Sequence, residues 1–263
     1  ELGASFFILI LPHMQEDNIY NAYNMKHPVR APQNTTTTTQ NIEAMSCPSD
    51  PENRKEFTVA SNPPLSLNGA LRKGNYVGNW GAHGNDFDLQ YVKKPPLLHG
   101  LFAQDSFVKA SDIRDGLSNT VALSEIVSLL AADDCRGAWQ LPVIGGAGFS
   151  SRSDDPDPDY HLTPNHRPSD KSGDRIPFCN NTEPKFPCTN VIVDLPALQM
   201  PVSLRPIMRR SQHGAAPRSY HPSGVHIALA DGSVRYLSDN VTEEVWTKLL
   251  TIKNQDHVDD TEF

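Results

Sequence analysis

The sequence predicts a loop-rich globular chain that mixes short helices with strands, not a helical bundle. Three observations carry this. Asp231-Gly232 separates two runs that alternate apolar and polar residues, at 225–229 and 234–236. Asp-Gly between alternating runs marks a hairpin, because the primed turn needs positive φ at both central residues. Apolar residues recur at helical spacing near both ends: Met14, Ile19, Tyr20 and Tyr23, then Val245, Trp246, Leu249 and Leu250. Finally, 22 prolines and 16 glycines among 263 residues, with only 38% hydrophobic residues, impose many turns.

The elements follow in order. Residues 5–11, SFFILIL, form an apolar run without a basic flank, suited to a buried strand or a helix start. The run is far below the ~20 residues that span a bilayer. No signal peptide is expected in the chain as it stands, and its start at Glu1 rather than Met fits a processed or truncated product. A short helix is expected over 12–24, with Pro12 in its first turn and Glu16 and Asp17 early, where the helix dipole favours acids. The run QNTTTTTQN at 33–41 reads as a polar linker or a short edge strand, since threonine favours extended backbone. Residues 72–81 read as tight turns around Tyr76 and Trp80, since the glycines lack a phosphate-loop pattern. Asp115-Gly116 and Ser118-Asn119 are turn residues, and Val121, Leu123, Ile126 and Val127 then read as a mostly buried strand. Residues 145–210 form a long loop-rich insertion within a single domain over 1–263, with one strand expected at 191–193. A final helix is expected over 242–252, with Thr242 as N-cap and Glu243 and Glu244 in its first turn.

Bulk properties exclude some function classes. A net charge of −8 argues against a nucleic-acid partner and against a polybasic membrane anchor. No G-x-S-x-G elbow and no H-E-x-x-H helix occur, so no enzyme class is indicated. The four cysteines, Cys47, Cys135, Cys179 and Cys188, contain no C-x-x-C pair, which disfavours a zinc knuckle. They allow three disulfide pairings, and sequence does not choose among them. In an exported protein the preferred pair is Cys179–Cys188, which would restrain the Pro/Asn-rich loop FCNNTEPKFPC.

Several residues stand as candidate sites. His221 precedes the hairpin and is placed to bond backbone or to pair with a carboxylate. Asp231 and Gly232 are explained by the turn itself, so a structural pair is preferred to a catalytic dyad. In a continuous strand His221 and His226 would face opposite sides, which disfavours a histidine metal site. The acidic run with Asp154, Asp155, Asp157 and Asp159 offers hard oxygens to Ca²⁺, and no other cofactor is indicated. Its spacing is not an EF-hand, and a solvated acidic loop is the preferred reading. Tyr76, Trp80 and Trp139 are the aromatics that could stack on a ligand, although such residues more often pack a core.

Four segments together resemble a known family. They are Cys47-Pro48-Ser49-Asp50, Asn75-Tyr76-Val77-Gly78, Asp115-Gly116-Leu117-Ser118-Asn119-Thr120 with Glu125 downstream, and His221 followed by nine residues and Asp231-Gly232. A diverged match at 11–21 joins them. The sequence resembles the prepilin-like surface proteins that end in a His-x9-Asp-Gly signature, abundant in planctomycete bacteria and labelled both "unknown function" and "solute-binding". The resemblance implies an α+β fold, pilin/pseudopilin-like, with an antiparallel sheet packed on an N-terminal helix and large loop insertions. It also implies a non-enzymatic, exported structural or surface-assembly protein in the periplasm or at the cell surface. The full-length precursor would be anchored in the inner membrane, and membrane contact would run only through a hydrophobic helix absent from this chain. Partners would be further copies or other pilin-like and secretion components. An extracytoplasmic solute- or carbohydrate-binding module is the alternative.

Overall fold

The computed structural model describes residues 3–52, 55–58, 70–82, 99–102, 107–129, 131–151, 162–166, 173–176, 178–179, 185–190, 214–253 and 258. The candidate calcium residues Asp154, Asp155, Asp157 and Asp159 and the strand expected at 191–193 lie outside these residues. The fold is α+β. The helices are α1 (Phe6–Ile10), α2 (Asp17–Ala22), α3 (Thr35–Thr38) and α4 (Glu243–Leu250). The strands are β1 (Glu56–Phe57), β2 (Leu71–Arg72), β3 (Tyr76–Asn79), β4 (Val121–Glu125), β5 (Gly148–Phe149), β6 (Asp174–Ile176), β7 (Cys188–Asn190), β8 (Gly224–Leu229) and β9 (Val234–Ser238).

A five-stranded sheet in the order β5-β3-β4-β8-β9 forms the centre. Its β3–β4, β4–β8 and β8–β9 pairs are antiparallel, and β5 joins β3 in parallel at one edge. Period-two alternation divides its side chains between two faces. On one face Val77, Val121, Val225, Ile227, Leu229 and Leu237 are buried against Val245, Trp246, Leu249 and Leu250 of α4. Full burial of such side chains contributes about 1.5–3 kcal/mol each. On the other face Tyr76 and Leu123 meet Phe7 and Ile8 of α1, with Leu11, Ile42, Met45 and Trp139 completing that cluster. The apolar run at 5–11 therefore resolves as a helix start laid on the sheet.

Gly78 permits this contact. A Cβ there would lie 2.6 Å from the Phe6 ring and 2.7 Å from the Phe102 ring, and those two rings stack at 4.0 Å over the bare backbone. Three expectations change locally. Residues 72–81, read as tight turns, carry β3, because Tyr76, Val77 and Gly78 pair with Glu125, Ser124 and Leu123 of β4. The helix expected over 12–24 is interrupted: a 3₁₀ turn at Leu11–Met14 ends on Gln15 at φ 63°, and α2 starts afresh at Asp17. The threonine run is helical instead of extended. Its hydroxyls bond back to main-chain carbonyls, Thr37 to Asn34 at 2.8 Å and Thr39 to Thr35 at 2.9 Å, and this overrides β propensity. Among the described residues, no helix is long and apolar enough to cross a membrane.

Outside the main sheet, β1 pairs with β2, and β6 pairs in parallel with β7. A fully buried charge network ties this region together. Arg136 binds Asp134 at 2.7 Å and Asp174 at 2.8 Å, while Arg218 grips Asp174 with Nε and Nη2, both at 2.7 Å. Asp174 also accepts the Ala216 amide at 3.0 Å. The nearby Lys73 ammonium is buried and donates to the Leu129 and Ala131 carbonyls, each at 2.9 Å. Cys179 and Cys188 are disulfide-bonded, and Cys188 opens β7. Cys47 and Cys135 are buried and outside any disulfide.

Candidate functional site

The hairpin and the Asp-Gly-x-Ser-Asn-Thr segment form one structural joint. The turn is not the primed one expected: Gly232 adopts φ 87° but Asp231 does not take a positive φ, because the loop spans three residues, with the Gly232 amide on the Leu229 carbonyl at 2.9 Å. Asp231 Oδ1 accepts the Ser233 amide at 2.8 Å and its hydroxyl at 2.7 Å, closing the β8–β9 turn. The Asp231 and Ala230 amides donate to the Leu117 and Thr120 carbonyls, at 3.1 and 2.8 Å. Gly116 adopts φ 96°, Asn119 Nδ2 donates to the Asp115 carbonyl at 3.1 Å, and Thr120 Oγ1 donates to the Gly116 carbonyl at 3.1 Å. Buried Asp115 accepts the Thr251 hydroxyl at 3.3 Å, just past α4. Ser118 is exposed. These residues fasten turn, hairpin tip and helix end together.

The other motif residues converge elsewhere, on the face of the sheet that carries α1. Tyr76, Glu125, His226 and Tyr236 form a row across β3, β4, β8 and β9. Tyr76 is opposite Glu125, and His226 is opposite Tyr236. The bond from the His226 amide to Glu125 Oε2, at 2.7 Å, links the two halves. His221 lies just before β8. Ser223 at φ 64° turns the chain, so the His221 and His226 rings meet edge-on at 4.7 Å on the same side. The expectation of opposite sides assumed a continuous strand, and that turn removes it. His221 pairs with a carboxylate: its Nε2 lies 3.1 Å from Glu125 Oε1.

Cys47 completes the group. Its Sγ is 3.6 Å from Glu125 Oε1 and 3.6 Å from His221 Nε2. The Cys47 and Glu125 side chains are buried, while the His221 side chain is 20% exposed and so reaches the surface. Burial pushes the Cys47 thiol above its usual pKa, and the Glu125 charge adds to this. Burial also raises the Tyr76 phenol, with Cys47 and Glu125 contributing. A ring of amides and carboxylates holds these groups. The Cys47 amide donates to Asn75 Oδ1 at 2.9 Å, and Asn75 Nδ2 donates to Asp50 and to the Ile126 carbonyl. Asp50 also accepts the Ser128 amide at 2.9 Å, and the His221 amide donates to Ser219 Oγ at 3.1 Å.

Sequence reasoning singled out His221 and missed Cys47 and Glu125 as its partners. The available signal was that each residue of this site lies in one of the four recurring segments. Among the described residues one other group gathers metal-ligand types: Asp134 with Cys179 and Cys188. Those cysteines are bonded to each other and Asp134 is held by Arg136, so its donors are already committed. Trp139 and Trp80 are 1% and 8% exposed and pack the core, while Tyr76 is half-buried.

No curated protein and no solved structure matches this chain. A family model described as "Protein of unknown function (DUF1559)" matches residues 2–244. That match takes in the Cys47–Glu125–His221 group and the turn and hairpin tip of the joint, while Thr251 follows it, and the chain belongs to the SBP_bac_10 family.

Proposed function

We propose that this chain is the extracytoplasmic part of a non-enzymatic, pilin/pseudopilin-like surface-assembly protein. The observation that carries this reading is the seat of α1. The apolar run at the N-terminal side enters as a helix, buries Phe7 and Ile8 against the antiparallel strands, and leaves Leu9 55% exposed on its outer side. A hydrophobic helix upstream, joined to α1 through the extended backbone at Ser5, would anchor the precursor in the inner membrane and pack against copies of itself. The Cys179–Cys188 disulfide supports an oxidising compartment outside the cytoplasm. The burial of Trp80 and Trp139 weighs against a solute-binding module built on those aromatics, because their faces are spent in packing.

The test is expression of the whole natural precursor in a host with a prepilin peptidase, followed by fractionation and cross-linking through Leu9→Cys. The expected result is a processed protein in the membrane or surface fraction whose copies cross-link. Release as a freely soluble periplasmic monomer would refute the reading.

A further inference from the structure

We infer that Cys47, Glu125 and His221 form a binding site for a divalent transition-metal ion of the zinc class, with its fourth position open to solvent. The inference is independent of the assembly reading. Two arrangements of Cys, His and carboxylate must be told apart. In a nucleophile relay the thiol and the carboxylate engage opposite nitrogens of the imidazole. Here both engage the same one: His221 Nε2 lies 3.6 Å from Cys47 Sγ and 3.1 Å from Glu125 Oε1. The three donor atoms converge on one point and are not strung in a line.

The size of the triangle matches a metal. Zinc bonds of about 2.3 Å to sulfur and about 2.1 Å to nitrogen and oxygen, at tetrahedral angles, place S···N and S···O about 3.6 Å apart and N···O about 3.4 Å apart. The observed separations are 3.6, 3.6 and 3.1 Å. Binding needs only a small opening of the Glu–His edge. A thiolate–imidazole–carboxylate set suits zinc-class ions and does not suit Ca²⁺, which takes oxygen donors.

The surroundings are those of a prepared site. Glu125 is held through its second oxygen by the His226 amide, so Oε1 is aimed at the triangle. Cys47 is placed by Asn75, which is itself fixed by Asp50 and the Ile126 carbonyl. Such outer partners orient ligands and set affinity. Three protein ligands, with the His221 side chain partly exposed, leave room for water or a small anion as the fourth ligand.

The chain, stripped with a chelator and with Cys179–Cys188 intact, is titrated with Zn²⁺ by calorimetry and with Co²⁺ by absorption. The expected result is one ion per chain and a tetrahedral Co²⁺ spectrum with a thiolate charge-transfer band. Loss of an outer partner typically costs 10–100-fold in affinity, so loss of a ligand in His221→Ala or Cys47→Ser is expected to cost more than about 100-fold. Cys47→Ser also removes the charge-transfer band, and His27→Ala leaves both readouts unchanged. His221 lies in a turn at the surface, so His221→Ala carries the test should Cys47→Ser fail to fold. Absence of stoichiometric binding, an octahedral Co²⁺ spectrum, or affinity unchanged in His221→Ala would overturn the inference.

Discussion

Asp174→Ala probes what holds the 174–176 strand to the rest of the molecule. The Asp174 carboxylate is fully buried and accepts four hydrogen bonds: Arg136 Nη1 at 2.8 Å, Arg218 Nε and Nη2 at 2.7 Å each, and the Ala216 amide at 3.0 Å. Arg136 keeps Asp134 in the variant, but Arg218 loses its carboxylate partner inside the protein. Removing one partner of a buried ion pair costs about 3–5 kcal/mol, because the remaining charge stays desolvated. That is a large part of the roughly 5–15 kcal/mol that stabilises a typical native protein. For a chain of this size it corresponds to a fall in Tm of roughly 6–20 °C. Acid supplies an internal check. Burial alone pushes the Asp174 pKa up, but the Arg218 and Arg136 charges and the hydrogen bonds outweigh it and hold the pKa below the ordinary 3.8. A carboxylate with a depressed folded pKa stabilises above its unfolded value and loses that contribution as pH falls through the folded one. Wild type and variant should therefore differ fully at pH 7 and converge below about pH 4. Urea and thermal unfolding, followed by tryptophan fluorescence with the disulfide intact, measure both. A loss under about 1 kcal/mol at pH 7, or a gap that does not narrow in acid, would refute the reasoning.

Burial pushes the Lys73 ammonium down to about 8 from 10.5, so between those values the unfolded chain holds a proton that the folded one has released. Stability drawn from this group therefore rises with pH across that window, and Lys73→Met should lose the rise when urea midpoints at pH 8 and pH 10 are compared. Trp246→Ala should cost about 3–5 kcal/mol by emptying the centre of the α4 face. It also removes the indole donor that holds the Leu162 carbonyl at 3.0 Å, so hydrogen exchange should quicken at 162–166.

Local signals were legible where the chain decides its own conformation. The place of the turn at Asp231-Gly232 needs only its neighbours, though its type differs from the primed one because Gly232 alone takes a positive φ. Helix α4 also needs only its neighbours: Thr242 Oγ1 accepts the Val245 amide at 3.3 Å and four apolar residues share one face. The threonine run escapes propensity, which averages over contexts, because the helix there rests on specific hydroxyl-to-carbonyl bonds. The break at Gln15 was equally hidden, since a non-glycine residue in the left-handed region leaves little trace in sequence. The site was half legible. Its residues stood in the recurring segments, but their meeting depends on register. Glu125 faces the α1 side because Tyr76 is its β3 partner, and His221 reaches it only because Ser223 reverses the chain. Spacing along the chain carries neither fact.

The placement of the cysteines also bears on how the protein matures. Cys179 and Cys188 are nine residues apart, whereas each of the other pairings must close a far longer loop. Closure entropy grows with loop length, so in an oxidising compartment the short loop is favoured to close first. The final shape then guards the outcome. Cys135 ends fully enclosed, and Cys47 ends buried beside Glu125 and His221, so neither thiol is presented to another chain. In an oxidising compartment a chain with these four thiols would thus mature with a single crosslink, by the order of closure and then by concealment.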